Sequence, residues 1–373
     1  MRIGIDLLWV RVGKCGGTES YIRTLLDGFG RYGRDNEYIL LVSNDNGYSF
    51  EACDQYSNMK RQILPVESAS QPKRILWENL HLDRAAKKLR IDIMFIPVYS
   101  MPQTYGSGIP YVCVIHDLQA LHYPQYFSVA RRLFLKNRWK HTCKVSAHIV
   151  VSSEYSKRDL ESHYPVSAKK NSVIYVPVET KASKMSAEVL KEKYGIDSNA
   201  FFYCVSSMLP HKNLKTLLEA MAFRKRRGDI TPLVISGVGG GRETFEEEVN
   251  KYGIQDMVID TGYVSDEERD CLYENCCLFL FPSMFEGFGM PPIEAMQKGK
   301  NVVTTECACL REVTEGKAVY VKDPTNAKEW VDKIDETTRI PSQIWEFPNY
   351  NLKNITEQYL LVFERTKSMG GDR

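Results

Sequence analysis

The sixteen residues FPSMFEGFGMPPIEAM, at positions 281–296, decide the architecture of this 373-residue chain. They close the apolar run Leu278–Phe281, pass through a glycine-rich turn, and continue into a stretch with prolines near its start, where a helix accepts them. A buried strand that leads through a short turn into a helix is the repeating unit of a parallel sheet with crossover helices. The stretch therefore predicts an α/β fold, with the turn at the carboxyl end of a strand, where such sheets bind ligands.

The rest of the chain alternates short apolar runs with segments of helical period, in two successive series. The strands predicted for the first series are Arg2–Leu8, Glu37–Val42, Asp92–Pro97, Pro110–Ile115, Ala147–Val151 and Ser172–Val176. Those predicted for the second series are Phe201–Val205, Pro232–Ser236, Met257–Thr261, Leu278–Phe281 and Asn301–Thr304. Two series favour two doubly wound, Rossmann-like domains with a cleft between them over one very wide sheet. We expect the domains at 1–177 and 178–350, and the final helix at 351–373 to pack back on the first domain.

The composition excludes several classes of protein. A hydrophobic content of 43% with 26% charged residues excludes wholesale disorder, and a net charge of +2 argues against a dedicated nucleic-acid binder. No apolar run approaches the ~18 residues that span a bilayer, so we expect a cytoplasmic protein. The ten cysteines are scattered without a C-x-x-C pair, which indicates reduced thiols rather than a disulfide framework or a zinc site.

Two carboxylates flank the glycine-rich turn: Glu286 before it and Glu294 one turn into the helix. Backbone amides at a helix start attract anions, whereas carboxylates repel phosphate and accept hydrogen bonds from sugar hydroxyls. The residue types alone therefore favour a ligand that carries both hydroxyls and phosphate. The alternative is a plain helix start with a chance pair of glutamates.

The stretch 281–296 resembles the signature of the retaining glycosyltransferases of family four, which have the GT-B fold. That signature has two glutamates separated by seven residues, within the phrase P-S-x-x-E-G-F-G-x-P-x-x-E-A-M. The flanking residues 261–268 and 312–313 are similar too, and a weaker similarity extends over nearly the whole chain. The resemblance implies that Glu286 contacts hydroxyls of the transferred sugar and Glu294 the nucleotide ribose. It also implies that the base meets backbone groups of Val264, and that the sugar and diphosphate meet the amides of Gly287, Phe288, Gly289 and Met290.

The stretch SSMLPHKN, residues 206–213, follows the first strand of the second series and opens a helix. A lysine there can neutralise a diphosphate leaving group, and the resemblance gives Lys212 this role. Many family members have an arginine five or six residues before the lysine, where this chain has Ser207 and Ser206. We expect Ser207 to line the donor site and Lys212 to balance more of the phosphate charge. Whether the two serines lower activity stays open from sequence.

Two stretches of the first series complete the predicted site. Residues 12–19, VGKCGGTE, resemble the family's Gly-Gly loop, in which Gly17 approaches the donor diphosphate and Gly16 lies on the acceptor side. The alternative is a turn with a helix cap. His116 and Asp117 stand at a strand end, where the resemblance implies that His116 contacts the sugar or the acceptor. Asp117 would orient it or help to bind the acceptor; a structural histidine is the alternative.

The resulting hypothesis is a retaining, metal-independent glycosyltransferase that moves a mannose- or glucose-type hexose to a glycan or lipid-linked acceptor. GDP-mannose is favoured slightly over UDP-hexoses as the donor, and the setting would be surface-polysaccharide or O-antigen-type assembly. The chain has no Asp-x-Asp motif, so no metal is expected, and the family needs no other cofactor. A nucleotide-sugar epimerase of the same fold and a non-catalytic GT-B scaffold subunit are the alternatives. The glycine-rich loop after the first strand, residues 12–19, does not match the dinucleotide-binding pattern G-x-G-x-x-G, which argues against a dehydrogenase.

Residues 127–147 carry six basic side chains and no acidic one, interleaved with apolar residues. Such a helix is typical of a surface that contacts anionic lipid, which would place the protein at the inner face of the cytoplasmic membrane. The alternative is an ordinary solvated helix face.

Overall fold

The computed structural model describes residues 1–99 and 101–370, and this part of the chain forms two compact units. The first unit consists of residues 1–177 and of the chain from Pro348 onward, and the second of Val178–Phe347. The sequence analysis had placed the corresponding boundaries after residues 177 and 350. The cleft expected between the domains stays a prediction.

Both units are built from alternating strands and helices. The strands are β1 (Arg2–Asp6), β2 (Glu37–Ser43), β3 (Met59–Leu64), β4 (Ile93–Ile96), β5 (Tyr111–Ile115), β6 (His148–Val151), β7 (Asn171–Val173), β8 (Phe202–Val205), β9 (Leu233–Ser236), β10 (Val258–Gly262), β11 (Leu278–Phe281), β12 (Val302–Thr305) and β13 (Val319–Val321). The α-helices are α1 (Gly17–Tyr32), α2 (Gln71–Trp77), α3 (Asp83–Lys88), α4 (Gln119–His122), α5 (Val129–Val145), α6 (Glu154–His163), α7 (Ala187–Tyr194), α8 (Leu214–Arg226), α9 (Arg242–Tyr252), α10 (Asp266–Asn275), α11 (Met290–Gln297), α12 (Leu310–Val313), α13 (Ala327–Thr337) and α14 (Leu352–Gly370). One π-helical turn, Glu78–Leu82, joins α2 to α3.

Each unit contains one parallel sheet. The first sheet has the order β3-β2-β1-β4-β5-β6-β7, and the second has the order β10-β9-β8-β11-β12-β13. In both, the chain builds outward from a central strand and then returns to its other side, next to β1 and to β8. Loops that leave the carboxyl ends of strands diverge at such a reversal, so ligand sites form there.

Every predicted strand overlaps an observed one, and the sequence analysis missed β3 and β13. Both are edge strands. The strand β3 has the sequence MKRQIL and buries only its two end residues, so it shows no apolar run. The strand β13 has three residues. An edge strand packs fewer neighbours and therefore needs less apolar sequence than a central strand such as β5, which is buried throughout.

The last helix, α14, packs on the first unit against α1 and β4. The hydroxyls of Tyr21 and Tyr359 are 2.6 Å apart, and the ring of Phe363 lies 5.4 Å from that of Phe95. The two helices approach closely at Gly28, where a Cβ would collide with side chains of α14. The helix α14 therefore contributes its buried apolar side chains to the core of the first unit.

Candidate functional site

At the carboxyl edge of the second sheet, backbone hydrogen bonds join the ends of neighbouring strands. The amide of Gly237, after β9, donates to the carbonyl of Gly262 on β10 at 2.9 Å. The amide of Ser206, after β8, donates to the carbonyl of Ser236 at 2.9 Å. Gly237 has a φ of +94°, and a Cβ there would lie 3.1 Å from the carbonyl oxygen of Ser206. Glycine is required at this position for the close approach of the two loops.

Lys212 and Glu286, which lie 74 residues apart in sequence, meet at this edge. The Lys212 Nζ donates to Glu286 Oε1 at 2.6 Å, and the two side chains are 25% and 14% exposed. Lys212 ends a short 3₁₀ turn, and Asn213 follows it in the left-handed conformation at φ +52°, which turns the chain into α8. The Asn213 side chain donates to the carbonyl of Pro324 at 2.6 Å and fixes this turn. The structure thus brings together the two motifs that the sequence analysis singled out.

The glycine-rich turn is held from beneath by a buried thiol. The Cys309 Sγ donates to the carbonyl oxygens of Glu286 at 3.2 Å and of Phe288 at 3.1 Å. Gly289 adopts a φ of +88° at the start of α11, whose first residue is Met290. The turn 287–289 therefore lies at the N-terminus of an eight-residue helix, where the helix dipole favours an anion. The sequence analysis had counted Cys309 among the ten scattered, reduced thiols, because nothing in its local pattern separates it from the other cysteines.

Glu294 lies half-buried on α11, one turn beyond Gly289. Its Oε2 accepts a hydrogen bond from the hydroxyl of Tyr273 at 2.8 Å. Burial raises the pKa of Glu294 above its usual value, and the nearby charge of Arg269 and the hydrogen bond from Tyr273 oppose that rise. Tyr273 was missed from sequence, because a tyrosine on an amphipathic helix reads as a core residue.

Val264 and Ser207 lie on two loops of the same edge. Val264 is half-buried in the loop between β10 and α10, directly before Ser265, which caps α10. Its neighbour Tyr263 is 80% exposed and packs against Gly239. A Cβ on Gly239 would lie 2.7 Å from the Tyr263 hydroxyl oxygen. Ser207 is half-buried, and its carbonyl accepts from the hydroxyl of Ser206.

In the first unit, Gly16 and Gly17 stand at the carboxyl edge of the sheet, between β1 and α1. Gly16 has a φ of +54° and precedes the helix, and Gly17 is its first residue. The loop before them is anchored by Asn46, whose amide donates to the carbonyls of Leu7 and Val10 at 2.9 and 2.8 Å. Glu19 accepts from the amide of Gly13 at 3.0 Å. Neither Asn46 nor Glu19 was assigned this role from sequence.

His116 follows β5 at the same edge of the first sheet. Its Nε2 lies 3.2 Å from the carbonyl oxygen of Pro97, and its ring meets Tyr21 edge-on at 4.9 Å. Since a carbonyl only accepts, Nε2 carries the proton and Nδ1 is the acceptor nitrogen. Burial lowers the pKa of His116 to about 4, so the imidazole is neutral at pH 7. Asp117 accepts from the amide of Gln119 at 2.9 Å, at the start of α4.

Two family models match the chain over consecutive ranges. The model described as Glycosyltransferase Family 4 matches residues 15–182, and the model described as Glycosyl transferases group 1 matches residues 186–349. Together the two ranges include all the residues of the candidate site.

Characterised relatives and solved structures agree with this assignment. The chain is 27% identical over 237 residues to the O-antigen chain mannosyltransferase RfbU of Salmonella typhimurium strain LT2, covering 63% of each protein, just under two thirds. It is 28% identical over 285 residues to the O-antigen chain mannosyltransferase B of Escherichia coli, covering 72% of this chain and 69% of that protein. The crystal structure of Anabaena HepE in complex with UDP-glucose superposes over 100% of both chains with a TM-score of 0.67 at 17% identity.

The structural similarity to HepE confirms the predicted fold class, with two parallel-sheet Rossmann-like domains. The two family models confirm the similarity that the motif at 281–296 indicated. The chain therefore belongs to the group 1 glycosyltransferases of glycosyltransferase family 4 and has the GT-B fold.

Proposed function

We propose that the protein transfers a mannose- or glucose-type hexose from a nucleoside-diphosphate sugar to a hydroxyl of a glycan or lipid-linked acceptor, with retention of configuration. The observation that carries the proposal is the Lys212–Glu286 pair beside the glycine-rich turn, at the N-terminus of α11. The O-antigen relatives favour GDP-mannose as the donor and surface-polysaccharide or O-antigen-type assembly as the setting. HepE, which binds UDP-glucose, keeps UDP-hexoses as the second choice.

The second unit would bind the donor by complementary chemistry at neighbouring positions. The Lys212 ammonium group would contact the diphosphate, and Glu286 would accept hydrogen bonds from sugar hydroxyls. The residues that would line the rest of the donor are Ser207, Val264, Gly287, Phe288, Gly289, Met290 and Glu294. A diphosphate at the turn would compete with Glu286 for Lys212, so the carboxylate would turn its oxygens towards the sugar.

The first unit would supply the acceptor side. His116 presents Nδ1 as a neutral acceptor, so it would receive a hydrogen bond from a hydroxyl of the sugar or the acceptor rather than donate one. Gly17 would approach the diphosphate, and Gly16 and Asp117 would lie towards the acceptor. Their positions at one sheet edge support this assignment.

Retention is proposed to follow a front-face route. The bond from the anomeric carbon to the diphosphate oxygen breaks, the acceptor oxygen bonds to the same face of that carbon, and the departing phosphate oxygen takes the acceptor's proton. The Lys212 charge, the amides of the turn and the dipole of α11 would stabilise the leaving group. With that charge compensation, we propose that no metal ion is needed; the missing Asp-x-Asp motif supports this.

A donor screen tests the proposal. We expect one class of sugar nucleotide among GDP-, UDP-, ADP- and dTDP-sugars to raise the melting temperature. At ~100-fold over Kd the gain is about 2.7 kcal/mol, which corresponds to roughly 5–11 °C at about 2–4 °C per kcal/mol for domains of this size. EDTA should leave both the shift and the transfer of radiolabelled hexose unchanged. A shift that EDTA abolishes would contradict metal independence. Release of an altered sugar without an acceptor would indicate the epimerase. If no sugar nucleotide changes the melting temperature, the result would indicate the non-catalytic scaffold subunit.

We further propose that α5 contacts an anionic membrane surface peripherally. One face carries the exposed side chains of Lys136, Lys140 and Lys144, together with Leu133 at 58% and Val129 at 62% exposure, and Arg131 is also exposed near the start of the helix. Arg138 is buried and binds Asn79, so it is structural instead. In the described residues, no helix is both long and apolar enough to cross a membrane.

Charge reversal at two lysines tests the membrane contact. A lysine near an anionic surface contributes about 1 kcal/mol, so Lys136→Glu with Lys140→Glu should weaken binding to phosphatidylglycerol vesicles by roughly 30-fold or more. Co-sedimentation measures this, and the wild-type binding should fall with added salt. The control is Lys191→Glu with Lys251→Glu, two exposed lysines of the second unit. Equal losses in both pairs would favour the solvated-face alternative.

A further inference from the structure

The side chain of Tyr273 is fixed in a buried aromatic cluster of the second unit. It is fully buried on α10, and its ring meets Tyr203 edge-on at 5.2 Å and lies 5.1 Å from Phe279 on β11. Such a ring has a single orientation, because interiors are close-packed. Its hydroxyl is therefore a donor held at a fixed point.

That donor meets a carboxylate of the proposed donor site. The Tyr273 hydroxyl donates to Glu294 Oε2 at 2.8 Å. The same helix carries Arg269, whose charge favours the ionised carboxylate, while Asp266 and Asp270 oppose it. A carboxylate whose one oxygen is bound to a rigid partner has its plane fixed, so its second oxygen, Oε1, is presented in one direction.

We infer that Tyr273 is a positioning residue for ribose recognition: it fixes Glu294 so that Oε1 meets a hydroxyl of the nucleotide ribose. The inference rests on the proposed function, which places the ribose against Glu294. The preference for a nucleotide with ribose hydroxyls would then depend on Tyr273, although this tyrosine does not itself contact the ligand. A nucleotide without those hydroxyls gains nothing from the tyrosine.

The chain offers a matched control in Tyr203. It is a fully buried tyrosine of the same cluster, but its hydroxyl donates to Ser236 Oγ at 3.0 Å rather than to Glu294. Tyr273→Phe and Tyr203→Phe therefore remove the same atom from the same cluster. They differ in whether Glu294 loses its partner.

The experiment compares nucleotides with and without ribose hydroxyls by calorimetry. The full-length wild type is titrated with GDP and UDP, and then with the 2′,3′-dideoxy form of whichever binds more tightly. Hydrogen bonds to a charged group predict roughly a 10–100-fold preference for the ribonucleotide. We expect Tyr273→Phe to reduce this ratio at least about fivefold, with little change for the dideoxy form. Tyr203→Phe should keep the ratio.

Three outcomes would overturn the inference or its basis. An equal loss of affinity for both nucleotides in Tyr273→Phe makes the tyrosine merely structural. If the wild type binds the two nucleotides equally tightly, Glu294 does not contact the ribose hydroxyls. The proposed roles of Lys212 and Glu286 would then be unaffected. A wild type that binds no nucleoside diphosphate overturns the proposed function itself. A thermal melt precedes each titration, and Tyr273→Met, whose flexible side chain fills similar space, replaces the phenylalanine variant if that one is unfolded.

Discussion

Lys212→Ala should lower kcat for hexose transfer by roughly 10²–10³-fold, because the departing diphosphate then loses the ammonium group placed against it. The structure supports this choice of residue by geometry. The Lys212 Nζ is held at 2.6 Å from Glu286, beside the turn that begins α11. The two serines at 206 and 207 stand where many family members carry an arginine, so less positive charge remains to replace the lysine.

Comparing the changes in kcat and KM shows whether Lys212 stabilises the leaving group or only helps to bind the donor. If Lys212 acts mainly on charge that develops as the bond breaks, kcat falls more than the KM for the donor rises. Lys215→Ala is the matched control: it lies one turn along, is 57% exposed and pairs with Glu248 at 2.7 Å. Its activity should stay within about twofold of the wild type, as expected for a surface ion pair. Activity of Lys212→Ala within a few-fold of the wild type would contradict the assignment.

Gly289→Ala should lower the free energy of unfolding by about 1–2 kcal/mol and transfer by roughly tenfold or more. The first effect follows from the φ of +88°, which an alanine adopts only with strain. The new Cβ would also lie 2.8 Å from Leu310 Cδ2. The second effect follows because the turn must shift to relieve the strain, and its amides are those proposed to face the donor.

Gly253→Ala separates the two effects. Gly253 ends α9 with a φ of +65°, and a Cβ there has nothing within 4 Å. The Gly253→Ala variant should therefore lose about 1 kcal/mol or more of unfolding free energy and keep its transfer activity. Denaturant unfolding and a transfer assay on both variants measure the difference. If the two variants lose equal activity, the geometry of the turn does not matter for the reaction.

The sequence predicted the central strands well, because a strand buried on both faces must be apolar throughout. The run Leu278–Phe281 was placed without error. The edge strands β3 and β13 were missed because β3 buries only its two end residues and β13 has only three residues, whereas the other two edge strands, β7 and β10, were predicted. The π-helical turn between α2 and α3 has no signature in one sequence.

The residues of the candidate site also fall into two groups: those that a local sequence pattern marks and those that only a long-range contact marks. Lys212, Glu286 and Gly289 were found because each stands at a strand end or helix start, and these are visible as local patterns. Tyr273 and Cys309 were not, since their importance lies in one hydrogen bond to a distant segment. Which segment faces a buried hydroxyl or thiol is decided by packing, and a single chain does not reveal it. The roles of the predicted site residues stay predictions until the variants above are measured.

The return of α14 to the first unit has a consequence for biosynthesis. The core around Phe29, Phe95 and Tyr359 needs two stretches of chain that the entire second unit separates. During translation, at about 5–20 residues per second, the first sheet emerges early and then waits while roughly half the protein is made. The second unit is contiguous and receives all its strands in one run. We therefore expect the second unit to finish folding before the first unit, whose groove for α14 stays exposed until that helix has been synthesised.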